Sequence, residues 1–103
     1  MAYKVRLTRL AFKDLEDAFR HIAEELESPK AAQRLMRRLE TGVLHLADAP
    51  YSAPALASPF FCLLGYRKLV ISHYAAIYKV DDSAKETAVI RVVHCSMNYY
   101  KYL

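Results

Sequence analysis

Three apolar runs joined by very short connections dominate the second half of this chain. The runs are Tyr66–Ser72, Tyr74–Val80 and Thr87–His94, and the polar segment Asp81–Glu86 separates the last two. Runs of this length with such short links predict an antiparallel meander of β-strands. Apolar residues occupy both faces of every run. Each predicted strand is therefore covered on both faces, or lies in the middle of its sheet.

The first residues predict one strand followed by one helix. Tyr3–Leu7 alternates apolar and basic residues, which is typical of a half-buried strand at the edge of a sheet. Thr8 is a candidate N-cap. Apolar residues then recur at helical spacing from Ala11 to Leu26, with charged residues on the opposite face.

A second helix is predicted directly after the first. Ser28 is placed to cap it and Pro29 to occupy its first position. Its apolar stripe extends from Ala32 to Leu46. Gly42 lies within this helix, where glycine costs about 1 kcal/mol relative to alanine. We expect close packing of Gly42 on the first helix to explain it.

The segment Pro50–Gly65 is a long connection between the helices and the meander. It holds three prolines and several large apolar residues, but no Lys, Arg, Asp or Glu. Long loops in compact domains are often functional. The apolar content predicts that this one packs against the core, and the lack of charge means that it supplies neither a base nor a phosphate anchor.

The predicted order is therefore β-α-α-β-β-β in a single domain of residues 1–103. The helices form an antiparallel hairpin, because two residues separate them. Packed on one face of an antiparallel sheet of about four strands, they make a two-layer α+β sandwich. Since two helices intervene, we expect the second strand to run antiparallel to the first.

The composition predicts no metal site and no cofactor. Cys62 and Cys95 lack metal-type spacing, and the four histidines form no HxxxH pair. We expect both cysteines to be free thiols in a reducing compartment.

Neither a membrane span nor a signal peptide is predicted. No apolar run approaches the ~20 residues that cross a bilayer, and the N-terminus lacks the pattern of a secretory signal. The predicted location is the cytoplasm. The net charge of +4 and the pI near 9.1 permit binding to nucleic acid or to an acidic partner.

Charged groups inside the predicted strands are the first candidates for a site. Arg67, Arg91 and His94 lie in these segments, and Tyr99 follows the last of them. A second set, proposed to bind nucleic acid or a partner, comprises Lys30, Arg34, Arg37, Arg38, Lys68 and Tyr100. Like charges four residues apart destabilise a helix. The arginine row on the second helix is thus either a solvated face or a dock for phosphate or an acidic partner.

Four segments combine with this order of elements into a recognisable pattern: Ala11–Asp17, Gly65–Leu69, Tyr74–Val80 and Arg91–Tyr99. Together they resemble the RelE/ParE superfamily of small bacterial toxins, often labelled plasmid stabilisation proteins. Cys95 stands where such sequences usually have glycine, and Asn98 where they usually have aspartate. Loss of that glycine removes a residue that adopts positive φ easily.

The resemblance implies a toxin of a type II toxin-antitoxin system that is neutralised by a cognate antitoxin protein. RelE-like members are mRNA interferases, that is, metal-independent endoribonucleases that act on mRNA in the ribosome. ParE-like members inhibit growth by binding DNA gyrase. Of these activities, the candidate residues favour the ribosome-dependent endoribonuclease; the alternatives are a gyrase inhibitor or an inactive toxin-fold binding module.

Metal-free RNA cleavage requires a base, an acid and a cation beside the reacting phosphate. Arg67 and Arg91 are candidates for the cation because a guanidinium binds phosphate oxygens bidentately. His94 is the candidate acid or base, and Tyr99 or Tyr100 would stack a base or donate a proton.

The alternative is that the same residues have structural roles and no catalytic ones. Arg91 would then pair with Asp81 or Glu86 on the sheet surface, and His94 would be satisfied at a strand end. The C-terminal tyrosines would pack the end of the chain or contact the antitoxin.

Overall fold

The computed structural model describes residues 3–26 and 28–96. The elements in chain order are β1 (Lys4–Leu7), α1 (Arg9–Leu26), α2 (Pro29–His45), α3 (Pro59–Leu63), β2 (Tyr66–Ile71), β3 (Tyr74–Asp81) and β4 (Glu86–His94). The predicted β-α-α-β-β-β order is confirmed, with the short helix α3 added inside the long connection. No helix in these two ranges is long and apolar enough to cross a membrane.

Within the described part of the chain, the sheet has four strands in the order β1-β4-β3-β2. The meander β2-β3-β4 is antiparallel, as predicted. The first strand is the exception, because β1 pairs parallel with β4, from Lys4 opposite Glu86 to Leu7 opposite Val89. The sheet is therefore mixed, and β2 runs in the same direction as β1. The expectation that these two strands are antiparallel was wrong.

The direction of α1 explains this correction. The helix does not turn back over β1 but continues beside β4, where Thr8 Oγ1 donates to Ile90 O at 2.8 Å and Val92 N donates to Asp14 Oδ2 at 2.9 Å. Only α2 reverses the chain. It ends near the start of β1, where Tyr3 N donates to Ala47 O at 3.2 Å. The chain therefore enters β2 from the same end as β1.

Helices α1 and α2 begin at the predicted caps. Thr8 Oγ1 accepts from Ala11 N at 3.1 Å, and Ser28 Oγ accepts from Ala31 N at 3.3 Å. Pro29 occupies the first position of α2, where its missing N–H leaves no hydrogen bond unmade.

Apolar residues cover both faces of the sheet. On one face α1 and α2 pack against β3 and β4 around a buried cluster that includes Ile22, Leu39, Tyr78 and Val89. On the other face the connection between α2 and β2 covers Ala75 and Ile77. The connection packs through Leu56, which is 2% exposed, whereas Leu63 of α3 is 88% exposed.

Gly42 packs against β2 and not against α1 as expected. A Cβ added there would lie 2.5 Å from Cδ1 and 3.0 Å from Cγ1 of Ile71. Such distances require the isoleucine to move. Glycine thus allows α2 to approach the edge strand at a cost in helix propensity.

We expect Gly42→Ala to give less than the gain of about 1 kcal/mol that helix propensity alone predicts, because the Ile71 side chain has to move to admit the added methyl group. The same change made together with Ile71→Val should cost less than the sum of the two single changes, since valine lacks the clashing Cδ1. Urea denaturation of the four proteins measures this coupling. Strict additivity would contradict the proposed contact.

Candidate functional site

A cleft between α1 and the end of β4 contains two of the predicted site residues. We call it the α1–β4 cleft. Its volume is about 590 Å³, and its polar lining comprises Asp14, Asp17, His21, Glu25, Tyr74, Arg91, His94 and Ser96. The fold therefore brings Arg91 and His94 to one place. It adds carboxylates of α1 that were not predicted to lie at the site.

Arg91 forms a bidentate ion pair with Asp14 on α1. Its Nε lies 2.7 Å from Oδ2 and its Nη2 lies 2.8 Å from Oδ1. The side chains are only 16% and 13% exposed. The partners predicted for Arg91 were Asp81 and Glu86. The structure pairs Arg91 with Asp14 instead, and Glu86 with Arg6 at 2.9 Å.

A β-bulge in β4 directly precedes Arg91. The register between β3 and β4 shifts so that Ile77 faces Arg91 and Tyr78 faces Val89. Ile90 is the additional residue in β4, and a bulge of this kind bends the strand and redirects the next side chain. Beyond the end of β1, no strand of the described residues pairs with the outer edge of β4, and the carboxylate of Asp14 binds both Arg91 and the N–H of Val92 there.

His94 is held at the end of β4 by its own Nδ1. That atom accepts a hydrogen bond from Ser96 N at 3.1 Å and lies 2.7 Å from Ser96 Oγ. The backbone donor assigns the proton of the neutral ring to Nε2. The ring stacks on His73 with centroids 6.2 Å apart and meets Tyr74 edge-on at 5.4 Å. Only Nε2 is thus left for chemistry by these contacts.

Arg67 lies apart from Arg91 and His94, because β3 separates β2 from β4. Its Nη1 donates to Ala53 O at 2.6 Å, and its guanidinium lies 4.8 Å from the ring centroid of Tyr51. Both contacts attach the connection after α2 to the edge strand. The structure therefore does not bring Arg67 into the cleft.

The remaining predicted residues fall in other places. Tyr99 and Tyr100 lie outside the described residues. The side chains of Lys30, Arg34, Arg37 and Arg38 are exposed on α2. Lys68 is half-buried on β2 and, by strand alternation, faces away from Arg67. Among residues 3–26 and 28–96, no group of three His, Cys, Asp or Glu side chains is arranged to hold a metal ion.

An apolar groove between α1 and α2 was not predicted. Its lining includes Phe12, Leu15, Phe19, Ala23 and Met36, and its volume is about 630 Å³. Phe12 is 58% and Phe19 is 40% exposed. A second groove shares Leu15 and Met36 and extends the surface towards β1. The sequence does contain a signal, since Phe12 and Phe19 are seven residues apart and so share one helix face.

The start of β1, the connection after α2 and the β3–β4 turn meet at Asp82. Its carboxylate accepts from the hydroxyl groups of Tyr3 at 2.6 Å and Tyr51 at 2.5 Å. These hydrogen bonds lower the pKa of the Asp82 carboxyl. The bond to Asp82 also raises the pKa of Tyr51 from 10.0 to about 12.

This cluster gives an expected pH dependence. Because the folded state holds the Tyr51 proton more tightly than the unfolded state does, its stabilisation is complete below pH 10 and is lost as pH rises towards 12. The Asp82 pKa is lowered, so its stabilisation is present at neutral pH and is lost in acid. Titration of tyrosinate absorbance should find one phenol ionising near pH 12 that Tyr51→Phe removes and Tyr66→Phe retains. A titration unchanged by Tyr51→Phe would contradict the assignment.

The family model for the ParE toxin of the type II toxin-antitoxin system parDE matches residues 5–99. The fold is similar to that of a chain from the chromosomal ParDE system of P. aeruginosa, with 23% identity, a TM-score of 0.72 and coverage of 90% of this chain and 96% of the other. A chain of the RelBE2 complex of Mycobacterium tuberculosis is 21% identical, with a TM-score of 0.66 and coverage of 91% and 99%.

The fold is also similar to that of a mutant of the E. coli toxin RelE in the free state. That chain is 17% identical, with a TM-score of 0.65 and coverage of 99% of this chain and 93% of the other. A comparison with curated protein sequences finds no significant match.

Proposed function

Since this chain belongs to the family of ParE toxins of type II toxin-antitoxin systems, we propose that it inhibits growth by binding a protein target, DNA gyrase, and that a cognate antitoxin neutralises it. The fold alone does not select this mechanism, because related folds carry different activities. The choice depends on the chemistry of the candidate residues.

The observation that favours binding of a protein target over RNA cleavage is that both candidate arginines already have partners within the protein. An RNA-cleaving site needs cation, acid and base at a single phosphate. Arg91 is held by Asp14 with both partners largely buried, and Arg67 is bonded to Ala53 O on another strand. To bind a phosphate, Arg91 would have to leave a buried partner, which is strongly unfavourable. Endoribonuclease activity is the second candidate, supported only by the open Nε2 of His94 beside the cleft.

The groove between α1 and α2 supports the antitoxin partner. Amphipathic helices bind such grooves through apolar residues at helical spacing. Exposed Phe12 and Phe19 offer the aromatic anchors on which interface energy concentrates. Solved relatives of this fold include toxin-antitoxin complexes. We therefore place the antitoxin helix along this groove.

Two parallel assays test the mechanism. The purified protein should inhibit supercoiling by gyrase and should not cleave mRNA on programmed ribosomes. The variant His94→Gln should retain growth inhibition, whereas loss of a catalytic acid or base would lower the rate ~10²-fold or more. Ribosome-dependent cleavage that disappears in His94→Gln would overturn the proposal and establish the nuclease instead.

A further inference from the structure

A second shallow cleft lies between α2 and the edge strand β2. Its lining comprises Arg34, Arg37, Arg38, Thr41, Gly42, Val70, Ile71 and Ser72, and its volume is about 540 Å³. We call it the arginine cleft. Three guanidinium groups and two hydroxyl groups thus surround one depression. Val70, which is 53% exposed, contributes the main accessible apolar surface.

The cations of this cleft form no ion pair within the described residues, although Glu40 lies three positions after Arg37 on the same helix. The basic residues of α1 are different. Arg20 lies 3.7 Å from Asp17, and the surface around it also carries Glu16. Of the two long helices, α2 therefore carries an excess of basic residues and α1 an excess of acidic ones.

This arrangement is unfavourable for the helix itself. Arg34 and Arg38 are four residues apart, and like charges at that spacing destabilise a helix by a few tenths of a kcal/mol. Lys30 repeats the spacing one turn earlier. An anionic ligand would reverse this repulsion, because it would contact several guanidinium groups at once.

The residues that line the arginine cleft are better suited to bind phosphate groups than to bind another protein. Protein interfaces depend on buried aromatic and apolar anchors, and no aromatic side chain lines this cleft. Phosphate oxygens are bound by Arg, Ser and Thr side chains in nucleic-acid complexes. One helical turn between Arg34 and Arg38 spans ~6 Å, which matches about two phosphates of one strand.

We propose that the arginine cleft binds the phosphodiester backbone of a nucleic acid, without reading its sequence. Arg34, Arg37 and Arg38 contact successive phosphates, and the hydroxyl groups of Thr41 and Ser72 lie beside them. This binding is independent of the target proposed above, because it requires no gyrase. A toxin with such a surface would be retained near the DNA or RNA on which its target works.

Salt-dependent binding tests the proposal. Fluorescence anisotropy would measure the affinity of the full chain for a short DNA duplex of random sequence and for an RNA hairpin of equal length, over a salt series. Each phosphate contact contributes about 0.9 to the slope of log K against log salt on B-DNA. The variant Arg34→Gln/Arg37→Gln/Arg38→Gln should therefore lower the magnitude of that slope by about 2–3. The two probes identify which backbone is bound more tightly.

The matched control is Arg9→Gln/Lys13→Gln/Arg20→Gln on α1. All three of these residues are exposed, and the control removes the same net charge. It should keep most of the slope. Equal losses in both triple variants would overturn the proposal in favour of general charge attraction, and so would an absence of binding at low salt. A triple variant of α2 that binds nucleic acid normally but inhibits gyrase poorly would assign the cleft to an acidic protein instead.

Discussion

Replacing Asp14 by alanine is expected to lower the free energy of unfolding by about 3–5 kcal/mol, the usual effect of removing one partner of a buried ion pair. The carboxylate binds the Arg91 guanidinium through two oxygens and also accepts from Val92 N. Its loss would leave a buried cation and an unpaired N–H at the edge of β4.

Urea denaturation measures the effect as a lower midpoint at a similar slope. Asp17→Ala is the matched control, since that carboxylate is 53% exposed and its only ion pair in the described ranges is the 3.7 Å contact with Arg20. Its effect should stay within about 0.5 kcal/mol. A loss below 1 kcal/mol in Asp14→Ala would mean that the pair contributes little.

The same pair affects how toxicity data are interpreted. A variant of Arg91 that loses growth inhibition also loses the partner of Asp14, so reduced folding would imitate reduced catalysis. Asp14→Ala separates the two explanations, because it disrupts the fold at the same place and leaves the guanidinium intact. Equal loss of toxicity in both variants, at equal loss of stability, indicates a structural role for Arg91.

Phe12→Glu is expected to weaken antitoxin binding ~100-fold or more, which corresponds to about 2.8 kcal/mol. The side chain is 58% exposed at the rim of the α1–α2 groove, so the change should not disturb the core. In the complex, however, it would place a carboxylate in an apolar interface. Titration calorimetry with the co-expressed antitoxin measures the affinity, and growth with both genes induced reports neutralisation.

Phe60→Glu is the control for that prediction. Phe60 is 64% exposed on α3, on the opposite side of the sheet from α1 and α2. It should bind the antitoxin normally. If Phe12→Glu is neutralised as well as Phe60→Glu, the antitoxin does not occupy this groove.

Local sequence patterns were sufficient to predict the strands, the two long helices and the starts of those helices, but not the short helix α3. Thr8, Ser28 and Pro29 act within one turn of the chain, so their roles follow from residue type and position. The direction of β1 relative to β2 could not be predicted in this way. It depends on bonds from Thr8 and Asp14 to β4, which join residues far apart in sequence.

The candidate site was predicted only in part, again because contacts between residues far apart in sequence determine its geometry. Strand position placed Arg91 and His94 near one end of β4, but the bulge at Ile90 and the position of Asp14 beside the edge of β4 were not predicted. The alternation of side chains between the two faces of β4 does not predict such an insertion. The groove was missed because the apolar residues between Ala11 and Leu26 were treated as one stripe, whereas the structure leaves Phe19 40% exposed.

The pairing of β1 with β4 has a consequence for folding order. Thr8 and Ile90 are in contact although 82 positions separate them. Closing so long a loop is slow relative to forming hairpins and helices. We therefore expect the meander and the helical pair to assemble first and the N-terminal strand to join them after the rate-limiting step. Substitutions in Lys4–Leu7 should then accelerate unfolding and leave the refolding rate nearly unchanged.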